Sequence, residues 1–194
     1  MIARFASRLG IVAAFGLALG ASQARAADTY NVDPVHSFVN FRVKHLNVSY
    51  VYGRFVGPTG KLVIDEADPT KNSLEVTVQA EKINTDSEGR DKHLKGPDFF
   101  DVKQFPTITF KSTSVKKGEG DKWEVTGDMT LHGTTKSITV TVEPIGTGPG
   151  MKGETRAGFE TRFDVKRSDY GVNGLVGPVG DDVKLVVGLE AIKQ

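Results

Sequence analysis

Apolar residues recur at every second position through most of this chain. A period of two leaves few options besides extended strands with one face buried. Val35, Ser37, Val39, Phe41, Val43 and His45 share one face, while His36, Asn40, Arg42 and Lys44 share the other, with Phe38 out of phase. The same pattern returns in Val51–Gly53–Phe55, continues after "GPTG" in Leu62 and Ile64, and recurs in Leu74–Val76–Val78–Ala80 and in Ile108–Phe110–Ser112. It appears again in Trp123–Val125–Gly127–Met129–Leu131, Ile138–Val140–Val142, Ala157–Phe159–Thr161–Phe163–Val165 and Val183–Leu185–Val187–Leu189–Ala191. These runs predict eight strands. Turn-forming stretches such as "DPTKN", "KKGEGD", "HGTTK" and "GTGPG" separate most of them, and such short connections favour antiparallel neighbours. The expected class is all-β, a single up-and-down barrel or a sandwich. An eight-stranded barrel can enclose one small ligand. Gly53 and Gly127, inside strands, mark places of close backbone approach.

The second face of the strands carries Arg, Lys, Glu, Asp and Thr. A barrel spanning an outer membrane would show lipid an apolar band instead, so the apolar face here points inward. Residues 1–26 stand apart. Arg4 and Arg8 precede the uncharged run "LGIVAAFGLALG", and "ARA" ends at Ala26, the pattern of a cleaved secretory signal. The run is too short to span a bilayer. Residues 27–194 are then one domain. The net charge of +1 falls to −2 without the three leader arginines, which gives no footprint for nucleic acid. No later segment reads as a membrane span. The chain has no cysteine. An exported protein without disulfides fits a bacterial periplasm, and thiol catalysis and thiolate metal sites are excluded.

Four histidines, His36, His45, His93 and His132, show no metal-ligand spacing, so no metal site is expected. There is no nucleophile elbow, phosphate loop or dinucleotide fingerprint. Phe41, Phe55, Phe99, Phe100, Phe110, Trp123, Phe159 and Phe163 read as core. In a barrel the same inward face can be both core and ligand wall.

Five segments in order resemble one family, the YceI-like polyisoprenoid-binding proteins. They are "VDPVHSFVNFRVKH" with "VYGRF", "RDKHLKGPDFFDVKQFPTITFKS", "GDMTLHGTTKSITV", "RSDYGV" and "VKLVVGLEA". The resemblance covers nearly all of Asp28 to Ile192. It implies a lipocalin-like barrel of eight antiparallel strands, export to the periplasm, and a tunnel holding a polyisoprenoid such as a quinone tail or a prenyl pyrophosphate. It implies no catalytic reaction and no cofactor beyond that lipid; a homodimer is compatible with it. The tunnel wall is assigned to Val39, Phe41, Val43, Phe55, Phe99, Phe100, Phe110, Trp123, Met129, Leu131 and Phe163. Motif membership and places at strand ends make His36, His45, Arg90, Asp91, His93, Arg167 and Asp169 candidates for a lipid head group. Arg90–Asp91 and Arg167–Asp169 could equally tie loops down. A competing reading is an enzyme acting on an isoprenoid or acyl substrate, with His93 and Asp91 as acid–base pair. A third is a domain with a solid core.

The stretch "RDKHLKGPDFFDVKQFP" joins a strand ending near Thr85 to one starting near Thr107. That is long for a compact barrel and marks a functional element. A helix is expected around Asp91 to Phe100, interrupted at Gly96–Pro97. Phe99 and Phe100 are too apolar to sit free in water. One of them at least is expected to plug the barrel and cap it, with Arg90, Asp91 and His93 at the rim.

Overall fold

The computed structural model describes residues 27–194, so the leader expected over residues 1–26 lies outside the described residues. The strands are β1 (Asp28–Val32), β2 (Phe38–His45), β3 (Ser49–Val56), β4 (Thr59–Ile64), β5 (Ser73–Gln79), β6 (Ile83–Asn84), β7 (Thr107–Lys117), β8 (Trp123–Leu131), β9 (Thr134–Pro149), β10 (Thr155–Lys166) and β11 (Val179–Lys193), with one helix, α1 (Glu88–Leu94).

They form one closed antiparallel barrel. β1 and β2 are two lengths of a single stave: both pair with β11, β1 at its end (Val32↔Ala191) and β2 along its first half (Val43↔Val183). Likewise β3 and β4 form one stave, with β1 pairing β4 and β2 pairing β3. β5 and β6 form another, interrupted by a 3-10 turn at Ala80–Lys82. Counted this way the ring has eight staves, as the alternation predicts, and closes where β11 meets β1 and β2. Closing the ring pairs most of the sheet edge that could otherwise template aggregation. The ladder between β9 and β10 stops at Val142–Thr161. Nearer the helix, those two staves face each other as a seam, beyond which Lys136 pairs with Asp169 at 3.4 Å.

Three features depart from the sequence reading. The first stave begins earlier, at Asp28, because "DTYNV" buries Tyr30 and Val32 in phase with the rest. Val35 and His36, expected within a strand, lie in a turn. Pro34 has no amide proton for a ladder, and Asp33 Oδ1 accepts the Val35 N–H at 2.9 Å, an Asx turn. Val35 is accordingly 80% exposed. The helix spans Glu88–Leu94 rather than Asp91 to Phe100. It ends two residues before Gly96, because a residue preceding proline is steered out of helical geometry.

Two glycines admit aromatic rings into the wall. A Cβ on Gly53 would collide with the ring of Phe41, and one on Gly127 would lie 2.5 Å from Phe110 Cζ and 2.6 Å from the Lys111 carbonyl. The backbone oxygen cannot retreat as a flexible side chain would. Gly127→Ala is therefore expected to cost about 1–3 kcal/mol in denaturant unfolding, a strain absent from Gly146→Ala, where a Cβ meets open space.

Candidate ligand tunnel

All loops at one end of the barrel belong to the helix, the β2–β3 and β8–β9 turns, and the β10–β11 connection. The first described strand begins, and the chain ends at Gln194, at the other end. Between the ends runs a cavity of about 210 Å³ whose lining is almost wholly apolar. It reaches from Trp123, Phe159, Leu62 and Ile64 at the far end to Leu94, Phe99, Phe100, Val172 and Val179 at the helix end. With eight residues separating Trp123 from Leu131 on β8, rising 3.3 Å each and tilted as barrel strands are, the bore is roughly 20 Å long. The lining runs from one end of the barrel to the other, a shape that suits an extended chain.

The wall follows from the pleat. In β8 the residues Val125, Gly127, Met129 and Leu131 are buried while Glu124, Asp128 and the threonines between them face outward. Val39, Phe41, Val43, Phe55, Phe99, Phe100, Phe110, Trp123, Met129, Leu131 and Phe163 all line the cavity. So do Leu62, Val76, Val125, Val142, Phe159 and Leu189, which follow the same alternation, and Leu94 at the end of α1 and Val172 in the β10–β11 connection, where no strand periodicity could mark them.

Phe99 and Phe100 plug the helix end. Phe99 is buried beside Met129, Leu131, Tyr170 and Val172, and Phe100 meets Phe55 edge-on at 5.5 Å. The segment that carries them is clamped to the barrel through Thr85. The Thr85 N–H and hydroxyl donate to Asp91 Oδ1 at 2.9 and 2.5 Å, while Arg90 Nε donates to Thr85 Oγ1 at 2.7 Å and its Nη2 to the Thr85 carbonyl at 2.5 Å. His93 stands over the edge of Phe99 with Nε2 3.3 Å from Asp98 Oδ2. Asp91 and His93 are thus engaged with different partners. The geometry does not bring them together as an acid–base pair.

The remaining polar candidates scatter. His45 ends β2 at the helix end of the barrel, opposite Ser49 and Val179. Asp169 faces Lys136 on the outside. His36 does not join the others: it sits on the outer wall, at the β1–β2 turn. Of the seven, Arg167 alone lines the cavity. The residue is 6% exposed, and its guanidinium donates from Nε to the Gly180 carbonyl (2.9 Å), from Nη1 to the Val172 carbonyl (2.8 Å) and from Nη2 to the Val179 carbonyl (3.0 Å). Burial pushes its pKa down, against the opposing pull of the Asp181 charge. An arginine nonetheless stays protonated. It holds the irregular chain from Val172 to Gly180 against the end of the bore.

A second cluster escaped the sequence reading. Asp33, His36 and Glu190 bring three possible ligand atoms within 4.8 Å of one another. Arg156 already occupies that space: its Nη1 donates to Asp33 Oδ2 at 2.8 Å and to Glu190 Oε1 at 2.5 Å, and Nη2 pairs with Glu154 at 2.7 Å. His36 Nδ1 completes the group, 2.8 Å from Asp33 Oδ2. The Arg156 guanidinium takes up the carboxylate oxygens that would face a cation, so the group reads as a clasp joining β1, β10 and β11. The only trace of it in the sequence is the charge at Arg156 on an otherwise weakly patterned strand start.

The His36 hydrogen bond, helped by those from Val35 and Arg156, holds the Asp33 carboxyl far below its ordinary 3.8. A carboxylate whose folded pKa is depressed stabilises the fold above its unfolded pKa and loses that stabilisation as pH falls toward the folded one. Stability is therefore expected to decline as pH drops below about 4, and Asp33→Asn should flatten that decline in urea titrations at successive pH values. An unchanged slope would contradict the clasp.

A family model described as the YceI-like domain matches residues 30–191. The chain belongs to the YceI-like family. It is 40% identical over 190 residues to the protein YceI of Escherichia coli O157:H7, covering 97% of this chain and 98% of that one. Among solved structures, Burkholderia cenocepacia BcnA superposes with a TM-score of 0.75 at 24% identity, over 82% of this chain and 98% of the other. A structure described as a polyisoprenoid binding domain from Saccharophagus degradans, implicated in plant cell wall breakdown, gives a TM-score of 0.65 at 17% identity, over 85% and 98%. These two likenesses establish the shared fold; the YceI-like membership rests on the family model and the E. coli relative.

Proposed function

We propose that this YceI-like barrel carries or stores one polyisoprenoid chain, such as that of an isoprenoid quinone or a prenyl pyrophosphate, in the periplasm. The observation that carries the reading is the bore itself: an almost wholly apolar cavity whose lining runs nearly the length of the barrel. A branched hydrocarbon offers no hydrogen bonds, so it can be selected only by width and apolarity. Each buried methylene contributes about 0.8 kcal/mol before ordering costs. The polyisoprenoid-binding description of the Saccharophagus degradans domain, which shares the fold, is consistent with this. The basic, apolar and small-residue order of residues 1–26 supports export.

Trp123 is the only tryptophan in the chain and lines the far end of the bore, 5.4 Å from Phe159 between ring centroids. Its emission is a built-in reporter. A quinone carrying a prenyl tail should quench Trp123 saturably, with one molecule bound per chain, while the same quinone without a tail should quench only by collision. Equal quenching by both would remove the support for chain recognition.

A further inference from the structure

We propose that the β2–β3 turn and the loop from Gly171 to Gly180 form a docking face for an anionic lipid bilayer, through which the bore is loaded. This rests on the reading of the barrel as a lipid carrier and names the source of its cargo.

Neither "HLNVSYVYG" (residues 45–53) nor "GVNGLVGPVG" (residues 171–180) contains an acid, lysine or arginine. The structure pins them together: Leu46 N–H donates to the Pro178 carbonyl at 2.7 Å, and Val179 N–H to the Leu175 carbonyl at 3.0 Å. Their apolar side chains nevertheless turn outward, with Leu46 55%, Val48 82%, Leu175 54% and Val176 65% exposed.

The backbone makes this choice of residues costly. Leu46 and Leu175 both hold positive φ, 51° and 50°. Asparagine and glycine tolerate that region, and leucine rarely does. Leu46 is moreover a central residue of the turn closed by the Val48 N–H to His45 carbonyl bond, where asparagine is a favoured occupant. Two leucines sit where the fold alone would choose other residues, and both present their side chains to the outside. Strain of this kind is kept where function needs it.

The surroundings fit an anionic interface. β2 and β3 contain Arg42, Lys44 and Arg54 and no acid. Tyr50 and Tyr52 stand outward beside them, and Arg42 stacks on the Tyr50 ring at 4.6 Å. Tyrosines with an apolar body and a polar tip suit the level of lipid head groups. Of the acids flanking these segments, Asp182 pairs with Lys166 and Asp169 with Lys136, while Asp98 and Asp181 hydrogen-bond to His93 and Ser168. Directly behind the face lie Arg167, Val172 and Val179, which line the end of the bore. A water-insoluble chain entering at that end passes the Phe99–Phe100 plug and is supplied by the lipid phase on which the face docks.

The test uses protein purified in its natively processed form and sedimentation with vesicles of phosphatidylglycerol or of phosphatidylcholine. Wild type should bind the anionic vesicles, more weakly as salt rises. The combination Leu46→Asn, Val48→Thr, Leu175→Asn and Val176→Thr should weaken that binding roughly tenfold or more. It should also hold or raise the melting temperature, since asparagine relieves the left-handed strain. Quenching of Trp123 by a tailed quinone added from detergent should be unchanged in this variant. Vesicle binding that survives the substitutions, or that ignores lipid charge, overturns the docking face. Loss of quenching in wild type as well would instead count against the carrier reading itself.

Discussion

Val187→Trp is expected to lower affinity for a tailed isoprenoid by about a hundredfold or more. Val187 lies midway along β11, opposite Thr161 on one side and Val39 on the other, and packs against core clusters at both ends of the bore. An indole there fills the conduit at its centre, so a chain entering from either end is stopped. Overpacking in a wall that borders empty space should cost about 1–3 kcal/mol of stability, less than would unfold the protein. The control is the next residue. Val186 lies on the opposite face of the strand and outside the cavity lining, so Val186→Trp should leave binding intact. Isothermal titration or Trp123-independent displacement of a fluorescent fatty probe reads both. Equal binding by wild type and Val187→Trp would mean that the chain lodges elsewhere.

Arg167→Ala is expected to lower stability by about 3–5 kcal/mol, because three carbonyls, those of Val172, Val179 and Gly180, lose a charged donor at once. For a domain of this size that corresponds to a melting temperature about 10 °C lower. Arg167→Met separates causes. It restores much of the side-chain volume but none of the donors, so it should be nearly as damaging. A methionine variant as stable as wild type would show that packing, not the fan of hydrogen bonds, holds the end of the barrel.

Much of this was legible from the residues. The inward face could be read wherever a strand alternates cleanly, as in "WEVTGDMTL", because a pleat sends successive side chains to opposite sides whatever the tertiary context. The capping role of Phe99 and Phe100 was legible from chemistry alone, since two adjacent phenylalanines in a loop cannot both stay in water. Legibility failed where local turn chemistry overrode the pattern. Asp33–Pro34 broke what looked like one strand from Val35 and moved His36 away from the barrel end. It failed also where partners are remote: Arg156 meets Asp33 and Glu190 only once the ring has closed. Arg90 and Asp91 could be read as candidates for chemistry, for a lipid head or for tying the loop down. Their hydrogen bonds go to Thr85, which the linear sequence gave no reason to single out.

The central claim, that the bore carries a polyisoprenoid, is tested most directly by what the protein holds when it leaves its own cell. Native mass spectrometry of the protein from its host, followed by organic extraction, should show one isoprenoid per chain. Protein that emerges empty, and stays empty when offered a long-tailed quinone, would contradict the account.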